Sequence, residues 1–196
     1  MHQIKTVETG ALDNLSPQQI ESLKPNTDET TYVSRLRNGS EVKVAKQRLI
    51  PLLNERIKFL EQKDVEATVV LCSGKLELES RGRIIFPSVI LEHTVQTLLS
   101  GRKRLGVLVP TESQVLDGLK DWSPFAEDVK ALSFSPYGES IESLHVSAKA
   151  FADRDLIVLD CFGYTSHHRK IVRSLSEKPV TCARTITFRF LEEFFT

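Results

Sequence analysis

The feature that most constrains this chain is an alternation that runs through its last two-thirds. Five short apolar runs, "ATVVLCS" (67–73), "RLGVLVP" (104–110), "DVKALSFS" (128–135), "DLIVLD" (155–160) and "PVTCA" (179–183), are separated by longer stretches. The runs are too short for helices. Most are continuously apolar, as strands covered on both faces of a parallel sheet are. The stretches between them, 88–100, 112–122, 139–152 and 166–176, and the closing stretch 185–195 carry helical spacing. Strands that alternate with helices pair in parallel through crossovers. The pattern therefore predicts an α/β fold with mainly parallel sheet and helices on both faces.

The first third reads differently. Ser16-Pro17-Gln18-Gln19 has a capping serine, a proline suited to a first turn and a glutamine at the capping-box position, which predicts a helix ending near Lys24, before Pro25. Asn38-Gly39 between β-branched segments predicts a hairpin at about 31–45, with strands at 31–37 and 40–45 and a type I′ turn. Leu49, Leu52, Leu53, Ile57 and Leu60 then form one apolar stripe, predicting a helix over 46–62.

Charge and cysteine content exclude several classes. With 26 basic and 26 acidic residues, net charge gives no electrostatic argument for nucleic acid or an anionic membrane. No apolar stretch approaches the roughly 18 residues of a membrane span, and "MHQIKTVETG" has no apolar core of a secretory signal. Three cysteines without a CxxC suggest neither a zinc site nor a disulfide scaffold. The reading is a cytoplasmic protein in a reducing compartment, with neither metal nor cofactor.

Sites in open parallel sheets form at the carboxyl ends of the strands. There the sequence places Cys72-Ser73-Gly74, Thr111, Ser135-Pro136-Tyr137-Gly138, Asp160-Cys161-Phe162-Gly163-Tyr164 and Cys182-Ala183-Arg184. Cys72 and Cys161 each end an apolar run before a small or glycine-containing turn. A helix N-terminus there would favour their thiolates. Two facing thiols could act as a proton-transfer pair, one taking a proton from a carbon acid and the other returning one to the opposite face. A cysteine in such a place is more often a small core residue, and Cys182 is read that way. Asp160 is read first as a turn or cap acid, His167 and His168 as solvated at a helix start, and Trp122 as packing. Lys75, Arg81 and Arg83 are basic residues able to gather an anion.

"TGALDNLS", "YVSRLRNGSEV", "VVLCSG", "LGVLVPTESQ", "SFSPYGE" and above all "VLDCFGY" resemble the AroM family, from about residue 9 to the C-terminus. That family is similar to the aspartate/glutamate/hydantoin racemase superfamily. The resemblance implies two α/β lobes with a ligand cleft. Residues 1–86 plus part of the C-terminal helix region would form the first, and 87–196 mainly the second. It implies that Cys72 and Cys161 face a substrate α-carbon. Ser73 and Gly74 match carboxylate-binding positions of the first lobe, and Gly163 and Tyr164 occupy the corresponding turn of the second. Thr111, Ser135 and Tyr137 complete the expected ligand set. The racemases usually have Asn-Thr after the first cysteine, where Ser73-Gly74 stands here. They often have Gly-Cys-Thr at the second, where Asp160-Cys161-Phe162 stands. Family members usually begin with a further strand and helix, whereas Met1 stands eight residues before Thr9. The first lobe is thus expected to lack its usual N-terminal strand and helix, leaving an edge that a second copy could cover.

The leading expectation is a cofactor-independent racemase or isomerase acting on a small amino-acid-like or carboxylate metabolite. A non-catalytic metabolite-binding protein on the same scaffold is the alternative. An assembly protein completed by a partner, including a homo-oligomer, is a third.

Overall fold

The computed structural model describes residues 4–101, 103–138 and 140–195. Glu139, where the predicted fifth helix starts, and Met1 and Thr196, which bound the predicted lobes, lie outside the described residues. The chain divides into two compact units. One holds the described residues up to Val70 together with Lys75–Ile85; the other holds Leu71–Gly74 and Phe86–Phe195.

The first unit begins with helix α1 (Pro17–Ser22). The predicted capping box closes it: Ser16 Oγ accepts from Gln19 N–H, and Gln19 Oε1 accepts from Ser16 N–H. Strands β1 (Thr31–Arg35) and β2 (Glu41–Ala45) form the expected antiparallel hairpin. Its turn is not type I′. Gly39 has a positive φ of 89°, and Asn38 does not. Gly39 N–H donates to the Leu36 carbonyl, and Asn38 Oδ1 accepts from Ser40. The loop is therefore longer, with only glycine in the left-handed region. Helix α2 (Lys46–Glu61) follows directly.

The run 67–73, which starts in this unit and ends in the other, differs most from expectation. Only Thr68–Val69 is strand (β3), paired in parallel with Ile84–Ile85 (β4), which the sequence pattern does not announce. Leu71 is 60% exposed, so the run is not a strand covered on both faces. Among the described residues β3 pairs with β4 alone. With pairing on one edge, the chain leaves the ladder after Val70 N–H donates to the Ile85 carbonyl.

The second unit is the α/β body. After helix α3 (Pro87–Leu98) come β5 (Arg104–Val109), a short 3₁₀ turn (Glu112–Gln114), α4 (Val115–Trp122) and β6 (Asp128–Ser133). Then follow α5 (Ile141–Lys149), β7 (Leu156–Leu159), α6 (Ser166–Ser176), β8 (Val180–Cys182) and α7 (Ala183–Phe195). The four strands pair in parallel in the order β6-β5-β7-β8. The expected strand–helix alternation therefore holds here, with element ends shifted by up to three residues and the first and last helices starting earlier than expected. The period of two along each strand assigns the faces. Ile157 and Leu159 join Phe134, Leu144, Phe151 and Val172 in one core; Leu156 and Val158 join Leu91, Val95, Val107 and Trp122 in the other. The sheet thus buries apolar side chains on both sides, which is why its strands read as continuous apolar runs.

Candidate functional site

Parallel strands bring their carboxyl ends to one edge of the second unit. Thr111 follows β5, Ser135 and Tyr137 follow β6, Cys161 follows β7, and Arg184 follows β8. Cys72, Ser73 and Gly74 belong to the same unit.

Two small networks occupy this edge. In the first, Gly163 N–H donates to Cys161 Sγ over 3.3 Å, and the Tyr137 hydroxyl donates to the same sulfur. Gly163 must be glycine here. A Cβ would lie 2.5 Å from Tyr137 Oη and 2.6 Å from Pro136 Cγ. The loop after β6 is thereby pressed on the backbone of the Cys161 turn. Tyr137 N–H donates to Ser135 Oγ at 3.3 Å, which helps set that loop. Cys72 repeats the arrangement, with Gly74 N–H donating to Cys72 Sγ at 3.4 Å. Both cysteines thus sit in a Cys-x-Gly turn whose glycine N–H is aimed at the sulfur.

The second network centres on Asp160. Its carboxylate accepts from Trp122 Nε1 at 2.7 Å and from the Ser73 hydroxyl. The residue before Cys161 therefore grips the residue after Cys72. Trp122 packs, as expected, but its indole N–H also holds this carboxylate. Asp160 orients neighbours across the chain rather than capping its own turn.

The electrostatics differ from expectation in one respect. Neither thiol has the low pKa that a helix N-terminus would give. Cys72 precedes no helix, and Cys161 lies four residues before the Thr165 cap of α6. Burial pushes Cys72 up to about 11 and Cys161 up to about 12, against partial relief from the two glycine N–H groups. Negative charge on Cys72 or Asp160 raises Cys161 further. Burial also raises the Tyr137 phenol, and the Arg184 guanidinium draws it partly back. Asp160 is pushed up to about 6 by burial, with its two hydrogen bonds opposing.

The remaining expected residues have other engagements. Thr111, 7% exposed, shares its hydroxyl with Ser113 Oγ (2.9 Å) and Gln114 Oε1 (3.3 Å). Tyr164 is fully buried in the core, and its hydroxyl donates to the Phe134 carbonyl at 2.6 Å. His168 completes the α6 capping box, its Nδ1 accepting from Thr165 N–H, and burial lowers its pKa. Arg81 and Arg83 are exposed in the first unit.

Several solved structures resemble the chain, three of which follow. A liganded double mutant of arylmalonate decarboxylase aligns with a TM-score of 0.59 at 12% identity, covering 76% of this chain and 74% of that one. Allantoin racemase from Klebsiella pneumoniae aligns with a TM-score of 0.59 at 12% identity, covering 76% and 67%. Glutamate racemase from Campylobacter jejuni subsp. jejuni aligns at 0.54 and 18% identity, covering 81% and 71%. No curated protein matches. At these identities the likeness is one of fold: the chain has an α/β fold similar to that of these three proteins. It matches the AroM protein family over residues 1–195 and belongs to that family. Among the described residues no helix is long and apolar enough to cross a membrane.

Proposed function

We propose that the chain is a cofactor-independent racemase or isomerase, with Cys72 and Cys161 as its acid–base pair and a small amino-acid-like or carboxylate metabolite as substrate. The observation that carries this reading is the duplicated Cys-x-Gly turn, two thiols in one unit coupled through charge. One sulfur, as thiolate, takes the α-proton of a carbon acid. The other, as thiol, delivers its proton to the opposite face of the carbanion. Each turnover leaves the two protonation states exchanged, and solvent resets them. Because a charge on Cys72 opposes ionisation of Cys161, the active form carries one thiolate and one thiol. The fold-level likeness to two racemases and a decarboxylase is consistent with carbon-acid chemistry. Tyr137 and Ser135 would orient the ligand beside Cys161, and Ser73 and Gly74 beside Cys72. Thr111, Gly163 and Tyr164 would shape the loops that hold it.

The test is α-proton exchange in D2O, followed by proton NMR, across amino acids, hydantoins and short dicarboxylates. Loss of the α-proton signal that disappears in Cys161→Ser supports the pair. Exchange unaffected by Cys161→Ser and by Cys72→Ser would refute it.

A second reading is favoured by one observation: both thiols are pushed towards the neutral form. A non-catalytic metabolite-binding protein would have that property. Ligand-induced stabilisation that persists in a Cys72→Ser, Cys161→Ser double variant, with no exchange in the parent, would select it.

A further inference from the structure

The sequence pattern places Arg184 at a strand end and gives it no role. It is the second residue of the closing helix, two residues after β8 ends, and β8 is the neighbour of β7, whose end carries Cys161. Its Nε donates to the Phe162 carbonyl at 2.7 Å, and its guanidinium lies 5.5 Å from the Phe162 ring centroid. Phe162 is itself buried and braced by the edge of Phe188, with ring centroids 5.9 Å apart. The guanidinium is thus held from one side by a carbonyl and an aromatic face. Its Nη1 and Nη2 groups remain as a fork.

Two other arginines of this unit spend their charge on carboxylates. Arg154 pairs with Asp128 and Asp153, and Arg104 with Asp155. Among the described residues, no carboxylate forms an ion pair with Arg184. Its charge instead acts on the Tyr137 phenol, which donates to the Cys161 sulfur, and on the His168 imidazole. A half-buried cation, held at its Nε and unpaired at its fork, is suited to a bidentate oxyanion.

We propose that Arg184 is the anion anchor of this site and that its ligand is a carboxylate held on the guanidinium fork, rather than a neutral imide or amide. The proposal rests on the reading of this edge as a ligand site and narrows its substrate class. Carbon-acid chemistry at Cys161 needs an α-hydrogen next to an electron-withdrawing group. A carboxylate on Arg184 would set that carbon near Tyr137 and Cys161. A neutral hydantoin carbonyl would accept a hydrogen bond from the fork but would lack the charge pairing of a carboxylate.

The experiment measures binding to the full chain by calorimetry and thermal shift at constant ionic strength. The probes are acetate, malonate, succinate, glutamate, inorganic phosphate and hydantoin. The variants are Arg184→Met and Arg184→Lys, each checked by circular dichroism and unliganded Tm. The expected result is saturable binding of at least one carboxylate, at least tenfold weaker in Arg184→Met and partly restored in Arg184→Lys, with no binding of hydantoin. Equal carboxylate affinity in Arg184→Met overturns the proposal. So does no carboxylate binding to the parent, or phosphate or hydantoin binding more tightly than every carboxylate. If Arg184→Met does not fold, Arg184→Lys decides alone, and unchanged affinity in it overturns the fork. The two readings fail separately. Arg184-dependent binding without α-proton exchange sinks the acid–base pair and keeps the anchor. Cys161-dependent exchange that survives in Arg184→Met sinks the anchor and keeps the pair.

Discussion

Gly163 occupies a point where no side chain fits, because the Tyr137 hydroxyl and the Pro136 ring fill the space a Cβ would need. Gly163→Ala must displace the Tyr137 loop. The expected cost is about 1–3 kcal/mol in denaturant unfolding, together with loss of the Tyr137 bond to Cys161. Unchanged stability would contradict the close approach. The thiols make a second prediction. With pKa values raised to about 11 and about 12, both are protonated at neutral pH. Iodoacetamide should modify them far more slowly than a free cysteine at pH 7 and faster as pH rises. Half-buried Cys72 should react ahead of buried Cys161, as peptide mass spectrometry would report. Asp160 makes a third. Its carboxyl is held up to about 6, against an ordinary 3.8. The folded state therefore binds this proton more tightly than the unfolded chain does. Its stabilising contribution is complete below about pH 4 and is lost as pH rises through 6. The stability of the parent relative to Asp160→Asn should fall on the order of 2 kcal/mol between those limits. A pH-independent difference would show that Asp160 is not desolvated.

At the scale of elements, β7 carries the body. All four of its residues are buried, and they feed both cores alternately. Ile157→Ala should cost about 2–5 kcal/mol in equilibrium unfolding; a loss under 1 kcal/mol would mean the core closes around the gap. In the hairpin, Gly39→Ala imposes a side chain on a positive φ, at about 1 kcal/mol. This scale was also the most legible in sequence. Runs such as "LIVL" announce strands because burial on both faces removes the polar alternation. The same logic overreached at 67–73. A run of apolar residues specifies burial by some neighbour without saying that a second strand will be beside it. Leu71 is exposed where the pattern put it inside. The two-residue β4 is too short to have a period at all.

Across the whole molecule, the strand-end rule places Thr111, Ser135, Tyr137, Cys161 and Arg184 at one edge from sequence alone. It could not give side-chain direction, which is why Tyr164, whose hydroxyl serves the Phe134 carbonyl, was grouped with ligand residues. Nor could it give links between distant segments. Trp122 and Asp160 are 38 residues apart, and Ser73 reaches the same carboxylate from the far side of the sequence. Only the folded sheet brings these together, and with them the two Cys-x-Gly turns. In the proposed pair, two thiols act on opposite faces of one carbon. The direct measurement is early deuterium incorporation, by chiral analysis, from a single enantiomer of whichever substrate exchanges. Two bases predict label in the product enantiomer and almost none in recovered substrate, with both activities lost in Cys72→Ser and in Cys161→Ser. Label appearing equally in both enantiomers from the start, or full turnover in either serine variant, would contradict the account.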